Sequence, residues 1–410
     1  HDFIVKQQIE EVSEEFVFEF KIVTEPIGRD TSAAICIASL LPNPDEISLV
    51  VPCDHIFNDE HFCNLVNVAE EYYINAKENA IITFGIKPNC PETGYGYIQF
   101  GEGNVTEQFV EKPTKDLAER YIQQGNYLWN AGVFMFINKV MINCFETYSS
   151  DILKVCRETL NNSEERNGIL HLNKECFETC KVNSIDYEIM EKVTNSKVFN
   201  PYTLEYSSKW SDIGSFKVLS EECEKDNFGN NIKGNVVVED TENCYINTEH
   251  SVVTTIGVKN LVIVNQRDSL LVCDKDSSQD VKKVLTGVDS SLKEVHSKAY
   301  RPWGWYTCLE GSDTSGFKVK RICVYPGKRL SLQSHNHRSE HWVITKGNAK
   351  VQLNEDFFDM SVNDHIYINV KALHRLCNES DENVELIETQ IGEYLGEDDI
   401  IRYSDDFGRT

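Results

Sequence analysis

With 410 residues, 40% of them hydrophobic and 26% charged, the chain is long enough for two or three domains with sizeable cores. A formal net charge of −26 argues against nucleic acid as a main partner, because phosphate backbones need a basic face, while small phosphorylated molecules need only a few local cations. No apolar run reaches the length of a membrane span, the start carries no signal-peptide pattern, and the 14 cysteines are scattered without Cys-x-x-Cys spacing, so no membrane role is expected and a cytoplasmic chain with reduced, mostly buried thiols is.

The chain starts at His1, and Asp2-Phe-Ile-Val-Lys reads as a strand-like run. Strand-like and helical patterns then alternate through the first two hundred residues. Ile47-Ser-Leu-Val-Val and Ala80-Ile-Ile-Thr-Phe are short and rich in branched residues. Between them, Glu60 to Asn79 places Phe62, Val66, Ala69, Tyr73 and Ala76 on one helical face. A further helix is expected from Thr114 as N-cap to Gly125 as its stop, and an apolar helix over Ser32–Leu41. This alternation predicts an α/β sandwich with a mainly parallel sheet and ligands at the carboxyl ends of its strands.

Polar motifs fall where that rule places a ligand. Val50-Val-Pro-Cys-Asp54-His55 is a strand ending in an acid suited to Mg²⁺, and Trp210-Ser-Asp212-Ile-Gly214 supplies a second lone acid. Glu25-Pro-Ile-Gly-Arg29-Asp30-Thr31 opens the apolar helix, where free amides and Arg29 suit an anionic or polar ligand. The glycines of Thr93-Gly94-Tyr95-Gly96-Tyr97 permit close backbone approach, and Phe109-Val-Glu111-Lys112-Pro113 ends a strand with an acid beside a base. Taken singly, each motif has a bland reading as a salt bridge or helix cap.

From Phe228 to Cys273 short strands follow one another, punctuated by Gly234, Asn243, Gly257 and Asn260, with no helical period between them. A small coil of stacked strands fits this pattern, closed by a helix over Ser277 to Val288. The last hundred residues alternate as strands around Gly327 to Gly347. There Gln333, His335 and His337 fall at period two, Glu340 and His341 follow, and His374 stands about thirty residues on. Two histidines, a carboxylate and a returning histidine suffice to hold a divalent metal with an open position, and Gln333 is a neutral oxygen donor able to replace one of them.

In order and wording, the motifs of the first half resemble the mannose-1-phosphate guanylyltransferases: Glu-Pro-x-Gly-Arg-x-Thr, Pro-x-Asp-His, Thr-Gly-Tyr-Gly-Tyr-Ile, Phe-Val-Glu-Lys-Pro, Asn130-Ala-Gly-x-Phe, Ser184-Ile-Asp186-Tyr-x-Ile-Met-Glu-Lys and Trp-Ser-Asp-Ile-Gly-Ser. The resemblance implies that Glu25, Arg29 and Thr31 lie near the guanine and ribose of GTP. It implies that Asp54 and Asp212 hold Mg²⁺, that Gly94 and Tyr95 border the sugar, and that Asn130 meets its ring. Glu111 would bind the hydroxyls of mannose 1-phosphate, Lys112 its phosphate, and Asp186 would close the sugar side.

The Gly-framed Gln-Ser-His-Asn-His-Arg-Ser-Glu-His-Trp core resembles the cupin metal motif. With the Arg301-Pro-Trp-Gly start and the Glu388 to Arg402 ending, it resembles the type II phosphomannose isomerase domain. That implies conversion of fructose 6-phosphate to mannose 6-phosphate at a metal such as Zn²⁺ or Co²⁺, with ligands among Gln333, His335, His337, Glu340 and His374. Arg338 and His341 would serve the phosphate or proton transfer, with Lys328, Arg329 and Arg375 as secondary candidates for phosphate.

Residues 1–227 are thus expected to form an α/β nucleotide-sugar transferase, 228–290 a β-rich linker of β-helix type, and 291–410 an all-β cupin barrel. The linker in the resembled family often contributes to dimer contacts, so a homodimer is expected. Two features depart from the family. Asp30 stands where Asn is usual and Ser32 where Ala is, and the Gly-rich phosphate loop that opens the family is not found in these 410 residues. A chain starting at His1 therefore reads as a fragment expected to transfer nucleotides poorly. An isomerase alone, or a non-catalytic sugar-phosphate-binding protein, is the alternative.

Overall fold

The computed structural model describes residues 2–13, 15–74, 79–166, 168–267, 269–288 and 298–405. Two compact units emerge, one made of His1–Ile22, Arg166–Ile169 and Ile232–Thr410, the other of Val23–Glu165 and Leu170–Asn231.

The second of these is an α/β sandwich. Its sheet runs in the order Asn200–Tyr206, Ala80–Ile86, Tyr127–Ile137, Tyr97–Phe100, Thr106–Val110, and Ile47–Val50 also pairs with the long strand Tyr127–Ile137. Parallel pairing is confined to Asn200–Tyr206 against Ala80–Ile86, and the other pairs are antiparallel. The sheet is therefore mixed, not mainly parallel. Ala80–Ile86 is buried at every position, as expected of a central strand covered on both faces. Alternate side chains feed two cores: Ile81 and Phe136 join Ile37, Met141 and Leu153 on one face, and Ile82 and Met135 join Phe84, Trp129 and Leu204 on the other.

The helices follow the expected signals with small shifts. Lys115–Gln124 begins after Thr114 and ends where Gly125 takes φ 76°, its N–H donating to Tyr121 O at 3.3 Å. Asp59–Ile74 starts where the Asn58 side chain accepts from His61 N at 3.2 Å, and the expected continuation through Ala76 lies outside the described residues. Asp30–Leu40 is apolar nearly all round and packs against the helices Asn138–Tyr148 and Ser150–Asn161.

In the other unit, Asp2–Ser13 is helical, against the strand reading. Branched Ile4 and Val5 suggested a strand, but the run continues with Lys6, Gln7, Gln8, Glu10 and Glu11, which favour helix. Residues 231–274 form the coil of stacked strands. Val236 pairs in parallel with Val253 and Tyr245 with Val262, the same offset each time, and Cys244, Ile246 and Ile263 fill its small core. Asn243 and Asn260 repeat that offset at its turns, both with positive φ, and the Asn243 amide donates to Asn260 at 3.0 Å. The closing helix is shorter than expected, a 3₁₀ segment Lys275–Asp280 leading into Val281–Leu285.

The last part holds two antiparallel sheets of six and five strands. On three adjacent strands of the six-stranded sheet the inward residues sort into layers. Lys318, Gln390 and Glu340 lie in register, followed by Lys320, Glu388 and Trp342, then Ile322, Leu386 and Ile344. The same strands thus carry a polar end and an apolar end, the latter part of a core with Val324, Val351 and Leu376. All 14 cysteines are free, but only six are buried; Cys53, Cys63, Cys90 and Cys223 are exposed, contrary to the expectation of mostly buried thiols. No helix among the described residues is long and apolar enough to cross a membrane.

Candidate functional site

The α/β unit holds a cavity of about 450 Å³ whose lining includes Thr31, Gly94, Tyr95, Glu111, Lys112, Asn130, Asp186 and Asp212. Irregular backbone brings these groups together. Past the strand Thr106–Val110, Lys112 adopts φ 45°, so neighbours that would point apart on a strand both face the cavity, with Lys112 Nζ 3.1 Å from Glu111 Oε1. The Glu111 amide donates to Glu191 Oε1 at 3.0 Å. Gly96 makes room for this acid, because a Cβ there would lie 2.6 Å from Glu111 Oε2. Asp186 opens a single π-turn, Asp186–Met190, and accepts at 3.0 Å from the Asn130 amide, whose own oxygen accepts from Gly132 N at 3.0 Å.

Burial pushes Asp186 up to about 7, with the Glu111 carboxylate adding to the shift. Burial also raises Glu111, against the pull of Lys112. Two neighbouring carboxyls that resist simultaneous ionisation, beside an amide and an ammonium, form a wall whose chemistry suits hydroxyls and a phosphate. On the opposite side Tyr95 and His55 pack edge-on against Trp210, with centroids 5.6 and 5.4 Å away. Burial lowers His55 while the charges of Asp54 and Asp212 oppose that shift, so both acids lie near its ring. Ile213, a branched residue at φ 42°, follows Asp212 and marks a strained turn.

In the barrel, His335, Glu340 and His374 are buried, and their ligand atoms lie within 4.8 Å of one another. Glu340 Oε1 is 3.1 Å from His335 Nε2, and its Oε2 is 3.6 Å from His374 Nε2. Gln333, the register partner of His374, brings its amide within 3.4 Å of His374 Nε2. His374 Nδ1 is 3.0 Å from Ala372 O, a contact that fixes its proton there and leaves Nε2 for a metal. Around Glu340, Arg338 Nε donates to Oε1 at 3.0 Å and Trp342 Nε1 to Oε2 at 3.0 Å. Burial alone would raise Glu340, but its contact with His335 and the charges of His374 and Arg338 hold it well below the usual carboxylate range. This donor set of two imidazoles, one ionised carboxylate and one amide suits a divalent metal.

Family profiles match in three stretches: a nucleotidyl transferase over residues 1–227, a MannoseP isomerase/GMP-like beta-helix domain over 234–287, and a mannose-6-phosphate isomerase C-terminal domain over 288–405. The chain is 38% identical to a mannose-1-phosphate guanylyltransferase of Klebsiella pneumoniae, with 100% of this chain and 87% of that protein aligned. It belongs to the mannose-1-phosphate guanylyltransferase family. The alginate biosynthesis protein AlgA of Pseudomonas putida is 37% identical over 100% of this chain and 85% of its own length. The crystal structure of mannose-1-phosphate geranyltransferase from Thermus thermophilus superposes with a TM-score of 0.56 at 30% identity, over 68% of this chain and 81% of that one.

Against the residue set implied by resemblance to the guanylyltransferases, some side chains converge and others do not. Thr31 lines the cavity and accepts from Ile185 N at 2.9 Å, tying the helix start to the segment that carries Asp186. Glu25 and Arg29 are not among the cavity's lining; the Arg29 guanidinium donates instead to the carbonyls of Phe177 and Glu178. Asp30, the departure from the usual Asn, accepts from Thr31 N at 2.7 Å.

In the barrel the strand Leu332–His335 ends before His337, so the period-two reading runs two residues too far. His337 turns outward, with 57% of its side chain exposed, and its Nδ1 meets Asp399 Oδ1 at 2.7 Å. Gln333 occupies the position beside the cluster that His337 was expected to share. His341 points outward from Arg338–Lys346 and packs on Tyr367, whereas Arg338 is buried on Glu340 and on Gly396 O. Lys328, Arg329 and Arg375 are absent from the lining of the barrel's interior cavity, to which Gln333, Arg338 and Glu388 contribute. Residues overlooked in the sequence include Lys320, Trp342, Glu388 and Gln390. Their signal was the alternation of Leu386, Glu388 and Gln390 on the final long strand, which points acid and amide inward together with the apolar core.

Proposed function

We propose that the chain serves GDP-mannose biosynthesis in two ways: it joins mannose 1-phosphate to GTP with release of diphosphate, and it interconverts fructose 6-phosphate and mannose 6-phosphate. The observation that carries this reading is the convergence of Glu111, Lys112, Asn130, Asp186 and Asp212, from separate stretches of chain, on one cavity. The buried His335, Glu340 and His374 cluster supports the second activity.

Nucleotidyl transfer is an in-line attack by a sugar-phosphate oxygen on the α-phosphorus, and it depends on positioning and charge more than on a covalent nucleophile. Lys112 supplies a cation for the sugar phosphate. Asn130, Asp186 and Glu111 offer donors and acceptors for the sugar hydroxyls, and the Tyr95 and Trp210 rings close the apolar side. Asp54 and Asp212 fit Mg²⁺, which takes one or two carboxylates and the substrate phosphates and would neutralise charge between them.

For the isomerase, Gln333, His335, Glu340 and His374 would hold a metal such as Zn²⁺ or Co²⁺, which when bound polarises a carbonyl oxygen. Arg338 keeps Glu340 ionised and in place. On this reading residues 1–227 are the transferase, 228–290 the linker and 291–410 the isomerase of a cytoplasmic homodimer.

The test supplies fructose 6-phosphate and a divalent metal and follows mannose 6-phosphate, with mannose 1-phosphate binding measured by calorimetry. Turnover that disappears in His374→Ala, and mannose 1-phosphate binding that weakens about 10–100-fold in Lys112→Ala, are expected. A metal-loaded chain that converts neither hexose phosphate and binds no mannose 1-phosphate would refute the reading.

A further inference from the structure

The barrel's polar end holds a carboxylate that the ligand cluster does not use. Glu388 is 4% exposed and stands in register with Lys320 on one side and Trp342 on the other. With Gln333, Arg338 and Gln390 it lines a cavity of about 60 Å³. At roughly 10–15 Å³ per water, that is room for about four waters, or for the two-carbon reacting end of a sugar beside the Gln333 amide.

The other titratable groups lining this cavity are committed. Lys320 is ion-paired with Glu397, Arg338 is paired with Glu340, and arginines such as Arg301 and Arg402 do not give up their protons. Tyr306 is kept neutral by burial and engages Arg301 through its hydroxyl at 3.3 Å. The donors that hold Glu388 are both neutral: Trp342 Nε1 at 3.0 Å on one oxygen and Gln390 Nε2 at 2.7 Å on the other. Neither exchanges protons near neutrality, and each carboxylate oxygen keeps a lone pair for a further partner.

Resting on the isomerase reading above, we infer that Glu388 is the base that carries a proton between C1 and C2 of the open-chain hexose 6-phosphate. Starting from mannose 6-phosphate, the carboxylate takes the C2 hydrogen as a proton. The C2–H electron pair becomes the C1=C2 bond of an enediolate, and the carbonyl pair moves onto O1. Return of that proton to C1, with the O2 hydrogen passing to O1, re-forms a carbonyl at C2 and gives fructose 6-phosphate. No oxidant or reductant enters. Proton transfer by a positioned side chain contributes about 10²–10⁴-fold to rate.

Glu388→Gln and Glu388→Asp, made in the full chain and loaded with Co²⁺, test the assignment. The Gln390 oxygen has no hydrogen-bond partner, so its amide can turn to accept from the new one at 388. Glu388→Gln is expected to lose at least about 100-fold in kcat while KM stays within about threefold. Bound cobalt and melting temperature should match the wild type. Deuterium uptake at C2 of mannose 6-phosphate in D₂O should fall in parallel, and Glu388→Asp should recover part of both. A Glu388→Gln chain within about threefold of wild-type kcat overturns the assignment, as does a rate loss matched in both variants by equal loss of cobalt. A wild-type chain that binds cobalt and leaves both hexose 6-phosphates unchanged defeats the isomerase reading itself, which separates the two failures.

Discussion

In the α/β unit, the charged side chains facing the large cavity come from turns and unusual backbone, Lys112 at φ 45°, Asp186 at a π-turn and Asp212 just before Ile213 at φ 42°, beside Asn130 from the strand Tyr127–Ile137. In the barrel, the His335, Glu340 and His374 cluster and its surroundings sit on regular strands, and their neighbours are set by register, as in Gln333 opposite His374 and Trp342 opposite Glu388. The site built on turns gathers a wide, partly exposed pocket, at the cost of local strain. The strand-built site is narrow and buried: Glu340 is held by Arg338 and Trp342 of its own strand, and His374 by the carbonyl of Ala372. Loss of one contact should therefore spread further in the barrel than in the cavity.

The largest test of this difference is Glu340→Ala. It leaves buried Arg338, His335 and His374 without their common partner, and breaking a buried ion pair costs about 3–5 kcal/mol. Chemical denaturation should register that loss, and metal analysis should find the barrel empty while mannose 1-phosphate binding persists. Lys112→Ala should do the reverse. Its ammonium is 58% exposed, so stability changes little, but sugar-phosphate affinity should fall about 10–100-fold, the loss of about 1.5–3 kcal/mol for a charged hydrogen bond, read by calorimetry.

A pH series on Asp186→Asn gives a smaller effect. The folded protein keeps the Asp186 proton up to about 7, whereas an unfolded aspartate releases it near its ordinary value of about 3.9. The folded state thus binds more protons across that window, so this group's contribution to stability is present at low pH and is lost as pH rises through it. Replacing it with Asn should flatten the pH dependence of the unfolding free energy between about pH 4 and 7, read by chemical denaturation at a series of pH values. Smallest of all, His337→Ala and His341→Ala should each change stability by under about 1 kcal/mol and leave bound metal within about twofold, since both side chains sit outside the cluster. A metal deficit in either variant would redraw the ligand set.

How much of this was readable in the sequence differs between the same two regions. His335, Glu340 and His374 could be read from spacing, because Gly327 and Gly347, both at positive φ, frame a short stretch dense in histidine and carboxylate, and a further histidine returns about thirty residues on. His337 was misplaced because alternation says nothing about where a strand stops, and this one stops at His335. Glu388 and Gln390 were hidden by a reasonable bias, since polar residues on a strand are usually assigned to its solvent face. In the α/β unit the motif residues were legible by wording, but not the turn that sends both Glu111 and Lys112 into one pocket. The commitment of Arg29 to the carbonyls of Phe177 and Glu178 is a contact between distant stretches that no local pattern encodes. The mixed pairing of the sheet was missed for a similar reason, because alternating helices and strands suggest parallel neighbours while Tyr127–Ile137 runs antiparallel to three strands at once.

The inward layers of the barrel have a consequence for how such a protein changes. Lys318, Lys320, Arg338, Glu340, Glu388 and Gln390 share their strands with Ile322, Val324, Ile344, Leu386 and Val384, yet the two sets occupy opposite ends of the interior. Each strand is therefore written in two halves, one that holds the fold and one that holds the chemistry. The chemical half is open to rewriting for a new substrate while the apolar half goes on anchoring every strand in register.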